Sequence, residues 1–241
     1  VVKSGVFAII RVTYFSFGAQ VLRGTAAQNI ALLLASVTIV YGSTMAVKEH
    51  HFKRRLAYST VSNLSYIVLA ASLMTQSGLT ASLAHMLFHA LIKITLFVCA
   101  GAVMVKTGRT QIEDLRGLAK VMPFTCATYT VGAISLMGTP LLPGFVSKWL
   151  IGSAAIETGT TMGMVGVAAI LISAVLTAIY LMGPALSMYF RPLEGMEKVV
   201  SCDPGWRMKL PFAVLAVVIV LCGLFSDPII TLLANLSAGV M

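Results

Sequence analysis

The chain has 241 residues, of which 58% are apolar and only 10% charged, and its mean hydropathy is +0.94. Soluble domains carry about 25% charged residues, so this composition excludes an ordinary water-soluble enzyme and makes lipid the main solvent. The net charge of +9 does not mark a nucleic-acid binder, because the lysines and arginines are dispersed over short loops with no basic stripe interleaved with aromatics.

Apolar runs bounded by charged or Gly/Pro-rich breaks predict seven membrane segments, at 1–17, 26–47, 56–73, 79–105, 118–156, 162–190 and 208–234. The first opens with neither Met nor a signal peptide and reads as a truncated helix carrying Lys3 and Arg11. Lys3, by position alone, fits an interfacial residue. Arg11 reads as a structural or charge-pairing residue, since arginine effectively never deprotonates in proteins.

The fourth segment holds the strongest constellation, Ser82-Leu83-Ala84-His85-Met86-Leu87-Phe88-His89-Ala90-Leu91-Ile92-Lys93. Four residues turn a helix by about 400°, so His85, His89 and Lys93 fall within roughly 80° of one face and span roughly 12 Å. That separation is too long for one direct proton hop and suits hops through side chains and ordered water. Histidine accepts and releases protons near neutral pH, and a lysine held away from water loses part of its preference for the charged form. Taken singly, each histidine reads as a satisfied core residue and the lysine as one that snorkels. Together, near the middle of a long apolar segment, ionisable groups are costly and mark an ion or proton pathway.

The fifth segment is too long for one straight span. It contains Gly138-Thr139-Pro140-Leu141-Leu142-Pro143-Gly144, where Pro140 and Pro143 remove backbone donors and Gly138 and Gly144 weaken helix. A non-helical break over 138–144 is expected, with exposed backbone facing protein or a water-filled cavity. Beyond it, Ser147 is placed to cap or hydrate a new helix and Lys148 to sit in its first turn, where a cation opposes the helix dipole. Set beside Trp149, Lys148 also reads as an interfacial anchor.

Alternating crossings put loops 48–55, 106–120 and 191–210 on one side. These hold Lys48, Lys53, Arg54 and Arg55, then Lys106, Arg109, Arg116 and Lys120, then Arg191, Lys198, Arg207 and Lys209, whereas the opposite loops hold only Arg23. The positive-inside rule places the basic loops in the cytoplasm and Met241 outside. The acidic residues lie in loops or near segment ends, so no carboxylate is obviously placed to neutralise the buried lysines. Residues 1–190 read as a translocating transmembrane domain, and 191–241 as a cytoplasmic loop plus a C-terminal helix. Cys99, Cys126, Cys202 and Cys222 show neither metal-ligand nor C-x-x-C spacing and read as packing residues, so no metal is expected.

Several stretches together resemble a known family: Val-Val-Lys-Ser-Gly-Val-Phe-Ala-Ile-Ile-Arg at 1–11, Lys-Arg-Arg-Leu-Ala-Tyr-Ser-Thr-Val-Ser at 53–62, His-Met-Leu-Phe-His-Ala-Leu-Ile-Lys at 85–93, Asp-Leu-Arg-Gly-Leu-Ala-Lys-Val-Met-Pro at 114–123, and Gly-Thr-Pro-Leu-Leu-Pro-Gly-Phe-Val-Ser-Lys-Trp at 138–149. The chain is similar through about residue 190 to the antiporter-like proton-channel subunits of complex I, multisubunit cation/proton antiporters and membrane-bound hydrogenases, with wording closest to the D type of antiporter subunit. The resemblance implies an all-α membrane fold, the second half of a fourteen-helix inverted-repeat transporter, in a bacterial or archaeal plasma membrane. It also implies that Lys3 connects two half-channels, that Lys93 is the central lysine of the second, that His85 and His89 hydrate it, and that Lys148 is the outward terminal residue. The first half-channel, with its Glu/Lys pair, has no counterpart in the chain.

The implied partners are other membrane subunits, the bilayer, protons and, in exchange, Na+ or another cation. No cofactor is expected, because flavin, nucleotide, haem and iron–sulfur fingerprints are missing from the sequence. The competing class is a non-conducting scaffold of such a complex.

Overall fold

A computed structural model describes residues 2–192 and 202–240. Lys198, Glu194 and Glu197 of the third basic loop, and Met241, lie outside the described residues. Helix α1 (Val2–Arg11) runs into a π-helical stretch, Val12–Phe17, and after Gly18 comes the single turn α2 (Ala19–Leu22). Then follow α3 (Ala26–Lys48), α4 (Phe52–Ser72), α5 (Gln76–Thr107), α6 (Pro123–Met137), α7 (Pro143–Glu157), α8 (Thr161–Phe190), α9 (Trp206–Leu224) and α10 (Asp227–Ala238). No strand occurs among the described residues.

The boundaries follow local chemistry. Thr25, Thr75 and Thr160 each accept a backbone N–H through their hydroxyls at the starts of α3, α5 and α8, satisfying donors that a helix start leaves open. α5 ends on Gly108, whose left-handed φ of 70° suits a residue without Cβ. Pro123 and Pro143 open α6 and α7, where a missing N–H costs nothing.

α3, α5, α8 and α9 are each long and apolar enough to cross a membrane. The expected fifth segment is two helices whose non-helical link, 138–142, is narrower than the expected 138–144, because Pro143 and Gly144 already belong to α7. The seventh segment is interrupted too, at Phe225 and Ser226, which its apolar pattern did not announce. α4 starts at Phe52, not 56, and so draws Lys53, Arg54 and Arg55 into the helix.

Hydrogen bonds sort the connections into two ends. At one end the Phe52 N–H meets the Thr110 carbonyl at 2.9 Å, Ile112 meets His50 at 2.9 Å, Gly117 meets Ser187 at 3.0 Å and Cys202 meets Val121 at 2.8 Å. There the Asp203 carboxylate also accepts the N–H groups of Phe124 and Thr125, capping α6. At the opposite end Gln28 donates to the carbonyls of Ser72 and Leu73, Gln76 to Ala234, and Ser77 to the Glu157 carboxylate. The pair α6–α7 therefore passes once from the first end to the second despite its break. All the described loop cations except Arg23 gather at the first, basic end.

α5 is the axis of the bundle, flanked by α4, α6, α7, α9 and α10, while α3 and α8 pack on each other and on α4. Close approach is obtained with small residues: a Cβ on Gly42 of α3 would stand 2.9 Å from the Ser62 nitrogen of α4. Ser43, Ser62 and Ser173 join α3, α4 and α8 through hydroxyl contacts of 2.8 Å and 2.5 Å.

At the basic end Arg55 is buried and donates to the carbonyls of Glu49 (2.8 Å), Val47 (3.2 Å) and Tyr180 (3.3 Å). Two of these close the α3 terminus and the third ties it to α8. Arg55→Ala leaves those carbonyls without this donor and is expected to destabilise the bundle by about 2–3 kcal/mol, the scale of losing hydrogen bonds to a charged group, with Arg55→Lys milder. Thermal unfolding of the purified variants checks this; an unchanged midpoint for Arg55→Ala contradicts it. Nearby, the exposed Glu113 accepts a 2.7 Å hydrogen bond from the His50 ring, and this bond leads in holding its carboxyl below the usual range.

Candidate functional site

Along α5 the four-residue spacing delivers one interior row. His85 and His89 are each 1% exposed, Lys93 is 3% exposed, and the two imidazoles stack with centroids 5.8 Å apart and planes 9° from parallel. His85 Nδ1 lies 2.9 Å from the Ser147 hydroxyl on α7. The Ser147 hydroxyl also donates to the Pro143 carbonyl at 3.1 Å. In that arrangement it accepts from His85 Nδ1–H, which leaves His85 Nε2 as an open acceptor. His89 has no hydrogen-bond partner on either ring nitrogen among the described residues.

Lys93 turns from its own helix to α4. Its ammonium donates to the Leu56 carbonyl at 2.9 Å and the Ser59 hydroxyl at 2.6 Å, with the Phe97 ring 5.7 Å away. None of the ion pairs among the described residues involves Lys93 or Lys148. A buried cation held only by neutral acceptors is costly.

Lys148 occupies the second turn of α7, not the first as the sequence implied, because the helix begins at Pro143. Its ammonium reaches back across the break to the carbonyls of Leu136 (2.7 Å) and Met137 (3.0 Å). These belong to the unpaired C-terminal carbonyls of α6, so a cation is matched to the negative end of that helix. Ser147 is likewise not an N-cap; its hydroxyl bonds back within α7 and across to His85. Trp149, by contrast, is 65% exposed and faces outward. Gly138 takes φ 102°, open to a residue without Cβ, whereas Leu141 has a side chain and φ 70°, so the link between α6 and α7 stores backbone strain at Leu141.

Of the expected residues, His85, His89, Lys93 and Lys148 share the interior. Lys3 stands on a different helix, α1, half-buried and packed towards α4, from where its charge acts on His85, His89 and Lys93. Arg11 is exposed, with the Phe15 ring 5.8 Å from its guanidinium.

Sequence reasoning missed Tyr66. Its ring lies 5.4 Å from His85 and 5.8 Å from the Lys148 ammonium, so one α4 side chain bridges the row and the broken helix. Ser59 and Asn63 of α4 were missed as well. A signal existed in the spacing of Ser59, Asn63 and Tyr66, a polar face at helical intervals inside a span. Among the described residues no group of three or more His, Cys, Asp or Glu side chains is placed to hold a metal.

A helical bundle with this buried basic row, laid against a broken helix that carries a second lysine, has the build of an antiporter-like membrane protein. The chain belongs to the NADH:quinone oxidoreductase/Mrp antiporter transmembrane family, whose model matches residues 1–177. It is 34% identical over 242 residues to NADH-quinone oxidoreductase subunit N of Desulforudis audaxviator, covering 95% of this chain and 47% of the relative. With the D-type Na(+)/H(+) antiporter protein of Alkalihalophilus pseudofirmus it shares 28% over 228 residues, covering 94% of this chain and 45% of that one. That lower figure means that the wording does not single out the D type. A chain of the membrane-bound sulfane sulfur reductase, an archaeal respiratory membrane complex, superposes with a TM-score of 0.86 at 30% identity over 99% of this chain and 47% of that one. The chain thus spans about half the length of the curated relatives it matches.

Proposed function

We propose that this chain forms the second half-channel of an ion-translocating membrane protein, carrying protons through His85, His89, Lys93 and Lys148, with Lys3 joining it to a first half-channel. The observation that carries the reading is Lys93, buried with no carboxylate partner among the described residues and hydrogen-bonded to the neutral acceptors of Leu56 and Ser59. A scaffold has no use for so costly a residue, whereas a carrier needs a group that can exist with and without its proton. His89, with both nitrogens open, continues the row, and the contact between His85 and Ser147 hands it to the helix that bears Lys148.

Residues 1–190 make up the translocating domain in this reading, and 191–241 add a cytoplasmic loop and a terminal helix. Counting α6–α7 and α9–α10 as one crossing each gives seven, with the basic end in the cytoplasm and the C-terminus outside. The setting is a complex I-like, hydrogenase-like or multisubunit antiporter assembly in a bacterial or archaeal plasma membrane. Its other subunits are the partners, and Na+ is the candidate counter-ion.

The test is transport by the assembled complex containing the full polypeptide, reconstituted into liposomes and assayed with a pH-sensitive dye in sodium and in choline salts. Proton movement in both salts supports a proton carrier, and movement only with sodium supports exchange. Complete assembly and turnover without proton movement in either salt overturns the reading.

A further inference from the structure

We propose that Asn63 is a positioning residue for Lys93, a second acceptor that receives the ammonium when it leaves Leu56 and Ser59 and turns towards His89. This rests on the proton-carrying reading and adds a moving part to it. Asn63 follows Ser59 by one turn on the same face of α4, roughly 6 Å further from the basic end. Its Nδ2 donates to the Ser59 carbonyl at 2.7 Å. A carbonyl can only accept, so this bond fixes which end of the amide is nitrogen, and Oδ1 is left as an acceptor. That oxygen is buried in a side chain 2% exposed and has no hydrogen-bond partner among the described residues.

Buried acceptors without partners are rare, and each calls for an explanation. Here one lies on α4 while the two ring nitrogens of His89, also without partners, lie on α5. The two helices run antiparallel, and the Ser82 hydroxyl bonded to the Ile67 carbonyl at 3.0 Å sets their register. His89 precedes Lys93 by one turn on α5 and Asn63 follows Ser59 by one turn on α4, so both displacements point away from the basic end. The Lys93 stem has rotatable bonds enough to exchange one set of acceptors for the other without moving a helix. In its present position the ammonium is held on the basic side; in the second it would be held by Asn63 Oδ1 beside His89. The titratable groups that face this cluster are His89 on α5 and Tyr180 on α8, with the charge of Lys3 on α1 acting on Lys93. The Tyr180 hydroxyl lies against the Ser59 and Asn63 side chains but spends its proton on the Thr177 hydroxyl at 3.2 Å, so Asn63 Oδ1 stays open to a donor.

The experiment compares proton translocation per assembled complex for wild type, Asn63→Leu, Asn63→Asp and Lys93→Arg in the same liposome assay across pH. Asn63→Leu is expected to translocate at least about tenfold more slowly, a change of about 1.4 kcal/mol in the barrier. Asn63→Asp puts a carboxylate at the second position. It should trap the ammonium once ionised, so its rate should fall as pH rises through the titration of that carboxyl and recover in acid. A packing role alone would lower the amount assembled and leave the rate per complex, and its pH profile, unchanged. A wild-type rate for Asn63→Leu overturns the proposal. If that variant fails to assemble, a wild-type pH profile for Asn63→Asp overturns it instead. An impaired Lys93→Arg beside a normal Asn63→Leu removes this proposal alone, whereas a normal Lys93→Arg removes the carrier reading and this proposal with it.

Discussion

Replacing Lys93 by methionine is expected to stop proton translocation while leaving the complex at least as stable as wild type. Methionine has similar length and no charge, so the substitution removes a buried cation that no carboxylate among the described residues compensates. Burying an ion costs several kcal/mol even after relaxation, and two hydrogen bonds to neutral acceptors recover about 1.5–3 kcal/mol each. The net change on removal is therefore neutral to stabilising. Transport should fall by more than about a hundredfold, because the row loses its only lysine and ends at His89. Thermal stability of the purified complex and dye quenching in liposomes read the two quantities separately. Lower stability with normal transport is the opposite pattern and contradicts the assignment.

Gly144→Ala is expected to damage the same site by a different route. A Cβ at position 144 would collide with the Ser135 carbonyl, backbone against backbone, so no rotamer change relieves it. α7 must move off α6, and with it go the two carbonyl contacts of Lys148 and the hydrogen bond between Ser147 and His85. Overpacking of this kind costs about 1–3 kcal/mol, and here it falls on the joint that positions the second lysine. Gly152→Ala is the internal control on the same helix, since a Cβ there meets nothing within 4 Å. The expected result is lost transport and a lowered unfolding midpoint for Gly144→Ala, with Gly152→Ala near wild type. Equal behaviour of the two variants contradicts the packing argument.

The helical membrane fold was legible because lipid imposes simple rules: long apolar runs, basic loops on one side, and broken backbone only where protein or water can cover it. The four-residue spacing of His85, His89 and Lys93 already defined a helical face, so their common orientation needed no tertiary information. What the pattern could not give was the partner of each group. That Lys93 reaches Leu56 and Ser59, or that Lys148 reaches back to Leu136 and Met137, depends on which helices lie side by side. By sequence Pro143 looks like part of the break and Lys148 falls in the first turn, whereas Pro143 is the first residue of α7 and Lys148 sits in the second. Tyr66 was overlooked because an aromatic residue in an apolar helix looks like core. Only the packing of α4 against α5 and α7 puts it between His85 and Lys148.

In the proposed mechanism Lys93 gives up its proton, and Lys93→Arg isolates that step. Arginine keeps the charge, and its guanidinium can still donate to the Leu56 carbonyl and the Ser59 hydroxyl, yet it does not deprotonate in a protein. Proton translocation should be measured in liposomes at matched assembly for wild type, Lys93→Arg and Lys93→Met. Arginine is expected to fail as completely as methionine. Wild-type translocation by Lys93→Arg would show that position 93 contributes only a fixed positive charge, and the carrier assignment would be wrong.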